Sequence, residues 1–301
     1  MGAVLLNYRL YRGVLPVETE CFMSRSNISL PQQRGFGRTS RTDRWWLTPL
    51  LVFLGLGAFV VYSTWAAFQG ANYFYHGDAG AHYLSPFYSP LLYGTAGEHP
   101  WIGVIEQGGY PAWWPSWLPF SAAFLILWAP GGFRFTCYYY RGAYYKSFWA
   151  DPLTCAVGEP RSCYRGEHSL PLILQNIHRY FLYLALVFIL ILAWDAWLAM
   201  WFSTGPDGAM EWGIGVGTLV LMMNVILLGG YTFGCHSLRH LVGGRLDILS
   251  KHPVRKKSWE CVTCLNSRHM LWAWMSLFWV GFTDFYVRMC AAGYWTDWRI
   301  I

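Results

Sequence analysis

Five apolar stretches, at 46–68, 111–130, 170–202, 213–233 and 270–289, divide the chain and leave it few alternatives to a membrane fold. Each can supply the ~17–25 residues that an α-helix needs to cross a ~30 Å apolar slab. A helix is also the form in which a lipid-exposed segment satisfies its own backbone hydrogen bonds. A water-soluble fold would have to bury all five in a chain that is 55% hydrophobic and only 13% charged. The expected fold is therefore an all-α integral membrane protein with five transmembrane helices.

The basic residues set the expected orientation. Twenty of the 22 Lys and Arg fall on the side that carries the N-terminus, with Arg288 and Arg299 the exceptions. By the positive-inside rule that side is the cytoplasm, which puts the N-terminus inside and the C-terminus outside. The organisation expected is a cytoplasmic arm over 1–45 and a helical anchor over 46–290. The anchor has cytoplasmic loops at 131–169 and 234–268 and an outer loop at 69–110, and 291–301 form an outer tail. The polar, basic start of the chain is unlike a cleaved signal sequence. A net charge of +6 follows from this topology and from basic residues that hold lipid headgroups, so it makes no case for nucleic acid. No phosphate-binding loop is present to support ATP-driven transport. Trp residues gathered at the ends of the stretches fit an interfacial aromatic belt.

Seven of the eight cysteines and six of the nine histidines lie on the basic side. One segment runs from Phe133 through Cys137, Tyr139, Arg141, Tyr144 and Cys155 to His178 and Arg179. The other leaves the fourth stretch as Cys235-His236-Ser237-Leu238-Arg239-His240. An ionisable group such as His178 within a membrane helix normally has a partner or a cofactor, and cytoplasmic cysteines favour metal over disulfides. Three centres compete. A Rieske-type [2Fe–2S] cluster takes two Cys and two His, which Cys155, Cys235, His178 and His240 can supply, with His236 the rival to His240 and Cys137 or Cys163 the rival to Cys155. A b-type haem would need only a histidine pair such as His178 and His240. Zinc could sit on Cys261 and Cys264 with His252 or His269. Free buried thiols and hydrogen-bonded imidazoles are the plain alternative to all three.

The runs Cys137-Tyr138-Tyr139-Tyr140-Arg141, Cys155-Ala156-Val157, Asn176-Ile177-His178-Arg179-Tyr180 and Cys235-His236-Ser237-Leu238-Arg239-His240 resemble the single-chain membrane anchor of actinobacterial succinate dehydrogenases, over about 45–290. The resemblance implies a bacterial plasma-membrane subunit of complex II, serving the tricarboxylic acid cycle and the respiratory chain. Succinate would be oxidised on a flavoprotein partner with covalent FAD, and a soluble iron–sulfur partner would pass electrons on. This chain would be non-catalytic towards succinate, would carry a Rieske-like [2Fe–2S] cluster and would serve a membrane quinone, menaquinone in the first instance. Tyr139, Arg141, Tyr144, Arg179 and Arg239 are the expected quinone contacts, at the cytoplasmic membrane boundary. The 131–169 and 234–268 loops are the expected docking face. A haem b anchor and a non-redox transporter lined by Asp195 and Asn224 are the competing functions.

Overall fold

The computed structural model describes residues 44, 46–77, 80–106, 108–140, 173–204, 209–244, 246 and 248–301. The N-terminal arm except Arg44, the 141–169 part of the first basic loop, and with it Arg141, Tyr144, Cys155 and Cys163, lie outside the described residues. The chain begins with α1 (Leu47–Gln69), followed by the short strands β1 (Phe74–His76), β2 (His82–Leu84), β3 (Tyr93–Gly94) and β4 (Gly103–Val104). Three short helices follow: α2 (Ala122–Ile126), α3 (Trp128–Thr136) and the single turn α4 (Tyr138–Tyr140). Then come α5 (Ile173–Leu198), strands β5 (Trp201–Thr204) and β6 (Ala209–Trp212), α6 (Val216–Phe233), α7 (His236–Gly243), α8 (Pro253–Ser267) and α9 (His269–Ala291). The strands pair locally, β1 with β2 and β5 with β6 antiparallel and β3 with β4 parallel.

Among the described residues three helices, not five, are long and apolar enough to cross a membrane: Leu47–Gln69, Asn176–Leu198 and Val216–Phe233. The two failures have different causes. In 111–130, prolines at 111, 115 and 119 remove backbone donors, and the chain turns through bonds such as Trp114 N–H to Pro111 O (2.8 Å) and Leu118 N–H to Pro115 O (3.1 Å). Helix begins only at Ala122 and is interrupted at Leu127. At 1.5 Å per residue each piece is far shorter than the ~30 Å slab. The fifth stretch does form the 23-residue α9, but that helix carries Ser276, Thr283, Asp284 and Arg288, all buried inside the protein. Its polar groups are satisfied by neighbours rather than avoided, and this lowers its apolarity.

The helices form a bundle with two unlike ends. One end gathers residues 70–120, the β5–β6 hairpin and the C-terminus, joined by Ser203 N–H to Gly80 O (3.0 Å) and Ile214 N–H to Ile301 O (3.2 Å). Asp297 anchors it, accepting from Tyr83 (2.7 Å), Tyr286 (2.6 Å) and the Gly217 amide (2.8 Å). At the other end lie α4, α7, α8 and the start of α9. Packing against apolar neighbours in lipid depends on close approach rather than on the hydrophobic effect. Gly230 of α6 is one such point, since a Cβ there would lie 2.5 Å from the Trp272 ring of α9.

Candidate functional site

Two cysteines meet two histidines where four elements converge. Cys137 is the residue that ends α3, extended at φ −61°, ψ 132°, and Cys235 occupies the break between α6 and α7, extended at φ −67°, ψ 138°. Both thiols are buried. At Cys235 the break is fixed from two sides: the Gly234 amide closes α6 onto Gly230 O (3.0 Å), and Asn266 of α8 donates to Gly234 O (2.7 Å).

His178 lies one turn into α5, with Nε2 at 3.1 Å from Cys235 Sγ and Nδ1 at 2.9 Å from Thr136 Oγ1. Thr136 donates its single proton to Gly132 O (2.8 Å), so its oxygen accepts from His178 Nδ1–H. The network thus assigns the proton to Nδ1 and leaves the Nε2 lone pair facing the thiol. Phe133 lies parallel to the imidazole with centroids 4.6 Å apart. His269, the first residue of α9, has Nε2 at 3.6 Å from Cys137 Sγ, while its ring stacks on Tyr231 at 5.0 Å. Its Nδ1 is buried without a hydrogen-bond partner among the described residues. Burial pushes the Cys235 thiol up to about 11 and the His269 imidazole down to about 4. Both groups are therefore neutral near pH 7 when nothing is bound.

The other expected site residues are placed differently. His240 meets His236 instead, Nε2 to Nε2 at 3.0 Å on the exposed side of α7. Arg239 donates to Thr263 (3.0 Å) and lies over the Trp259 ring at 4.7 Å. Tyr139 accepts from Trp274 Nε1 (2.8 Å), and Arg179 is exposed. Arg141, Tyr144 and Cys155 are outside the described residues. Of the expected cluster ligands the structure joins His178 and Cys235, and it adds Cys137 and His269, which the sequence offered only as a rival cysteine and as a zinc neighbour. Thr136, which orients His178, carries no motif that would single it out. Among the described residues no group of three or more His, Cys, Asp or Glu is arranged around a single metal ion. What exists is two thiol–imidazole pairs side by side.

Residues 47–293 match the family described as actinobacterial succinate dehydrogenase subunit SdhC. The chain belongs to that family. A solved structure, the Mycobacterium smegmatis Sdh1 complex in the apo form, contains a chain with 45% sequence identity to this one at a TM-score of 0.71. That alignment covers 90% of this chain and 98% of the other. No curated protein matches significantly. This chain is accordingly a multi-pass membrane anchor subunit of the succinate dehydrogenase type.

Proposed function

We propose that this subunit is the electron exit of a succinate:quinone oxidoreductase: it receives electrons from a soluble iron–sulfur partner, relays them through a Rieske-like [2Fe–2S] cluster, and delivers them to a membrane quinone. The observation that carries the reading is the convergence of Cys137, Cys235, His178 and His269 from four elements. The donor set has the composition such a cluster requires, two thiolates and two imidazoles. The His269 Nδ1, unpartnered among the described residues, and the Nε2 lone pair on His178 are nitrogens with coordinating capacity to spare. When bound, the cluster would supply one-electron transfer at a potential raised by its imidazole ligands.

The remaining work belongs to the chain. Thr136 fixes the orientation and tautomer of His178, as a partner to the second nitrogen of a ligating imidazole does. Phe133 and Tyr231 cover the two imidazoles and exclude water. The helix breaks at Cys137 and Cys235 turn both thiols inward at one level. The α7–α8 hairpin, beside this level and carrying Lys256, Lys257, Arg255 and Arg268, is the surface on which the soluble iron–sulfur partner would dock. A flavoprotein with FAD would complete the complex, as the Sdh1 relationship supports. The haem alternative loses support because His240 is turned towards His236 on an exposed face.

Electron paramagnetic resonance of the reduced, purified complex, with iron and acid-labile sulfide analysis, is the test. Cys137→Ser and His269→Ala should each remove the signal of one binuclear cluster and leave the partner subunits' clusters intact. A pyridine haemochrome with no additional cluster in the native complex, or a signal that survives both variants, would refute the assignment.

A further inference from the structure

Strands β1 and β2 form a hairpin in which Phe74 stands opposite Leu84, Tyr75 opposite Tyr83 and His76 opposite His82. Side chains alternate across a strand, so one face of the ribbon carries Tyr75 and Tyr83 and the other carries Phe74, His76, His82 and Leu84. The tyrosine face is anchored in the cap, since Tyr83 is fully buried and donates to Asp297 (2.7 Å). Gly77 N–H to Ala81 O (2.8 Å) and Gly80 N–H to Gly77 O (2.8 Å) close the ribbon, and Gly80 O accepts from Ser203 N–H (3.0 Å). The two imidazoles on the opposite face are therefore held side by side by a braced hairpin.

His76 is exposed and His82 half-buried, with ring centroids 5.1 Å apart and planes at 80°. Phe74 lies against both, 4.6 Å from the His76 ring and 6.3 Å from the His82 ring. Two imidazoles bound to one tetrahedral ion through bonds of ~2.0–2.1 Å have their centroids about 5 Å apart. The observed spacing is that of such a pair. Buried polar atoms are nearly always hydrogen-bonded, yet His82 Nδ1 is buried with no partner among the described residues. Burial first, then His76 and His99, disfavour the charged form of His82. Near pH 7 it is thus neutral, the form in which imidazole ligates zinc, copper or nickel.

We propose that His76 and His82 bind a divalent transition-metal ion of the zinc type across the hairpin. The ion gives His82 Nδ1 the partner it lacks. Water completes the shell, since no third His, Cys, Asp or Glu among the described residues converges with the pair. Bound there, the metal ties β1 to β2 and, through Tyr83 and Gly80, braces the cap against Asp297 and β5. The hairpin lies at the end of the bundle opposite Cys137, Cys235, His178 and His269, so the site does not depend on the relay proposed above.

The whole complex, treated with a chelator and then dialysed against zinc, tests this through elemental analysis and thermal unfolding. The native complex should hold one more zinc per anchor than His76→Ala or His82→Ala. Each variant should weaken the site by more than the ~10–100-fold that losing an outer partner of a metal ligand costs. Zinc should raise the unfolding midpoint of the native complex, as a ligand of the folded state does, and by more than it raises that of His76→Ala. His76 is exposed, so that variant removes a donor without opening the core. The pair His236 and His240 at the other end is a second place for zinc, and His240→Ala separates the two: the zinc that depends on His76 should persist in it. Equal zinc content in the native complex, His76→Ala and His82→Ala would overturn the site, and so would zinc that is lost only with His240→Ala.

Discussion

Asp284 and Arg288, one turn apart on α9, form an ion pair at 2.7 Å with the carboxylate fully buried and the guanidinium 3% exposed. Asp284 also accepts from Tyr62 of α1 (2.6 Å) and from the Ser85 hydroxyl. Arg288 reaches the last turn of α1 at Ala66 O (2.9 Å) and the loop beyond at Ala71 O (2.8 Å). Arg288 thus departs from the one-sided charge pattern because it is a structural cap rather than a surface anchor. Removing one partner leaves the other charge buried and alone, so Asp284→Leu should cost about 3–5 kcal/mol. The double variant Asp284→Leu/Arg288→Met should recover much of that loss. Thermal unfolding of the detergent-purified subunit would register both, and an undiminished midpoint for the single variant would remove this pair from the account of stability.

At the scale of elements, helix ends matter more than helix interiors. Gly234 stops α6 so tightly that a Cβ would lie 2.7 Å from Gly230 O and 3.2 Å from the Leu265 backbone. Neither obstacle is a flexible side chain that could swing away. Gly234→Ala should therefore shift the α6–α7 junction, costing about 1–3 kcal/mol as overpacking does. It should also alter the line shape of the anchor's spin signal, because Cys235 is the next residue. An unaltered spectrum would show that the thiol is positioned from elsewhere.

Across the whole molecule, chemistry is sorted by end. Residues 70–120, 201–212 and the C-terminus build one cap through short strands and the Asp297 network, and the thiols, imidazoles and basic α8 occupy the other. From the positive-inside rule the expected location of the basic end is the cytoplasm. Cys261 and Cys264 are exposed on α8, which makes the assignment measurable. In a variant that keeps these two as its reactive thiols, a membrane-impermeant maleimide should label inverted vesicles stripped of the soluble subunits. It should fail on sealed right-side-out vesicles, and adding the soluble subunits back should slow the reaction several-fold. Labelling only from the outer face would reverse the orientation, and labelling indifferent to the soluble subunits would remove α8 from the docking face.

Membrane character, three of the five expected spanning helices, near 47–69, 173–198 and 216–233, the concentration of thiols and imidazoles on the basic side and the family resemblance were legible along the chain. Apolarity and charge can be read along the chain because lipid acts on each segment separately. The remainder depends on how the elements pack against one another. The prolines between 111 and 130 mark possible breaks, but whether apolar residues continue as helix depends on what packs against them, and α9 can keep Asp284 and Arg288 because its neighbours answer them. His178 and Cys235 were legible as candidates, since both stand at ends of strongly apolar runs. The pairing of Cys137 with His269 was not, because those residues are 132 positions apart, and no spacing rule joins the end of one broken helix to the start of another. Thr136 was likewise hidden, as a threonine acquires its role here only from the imidazole that folding sets beside it.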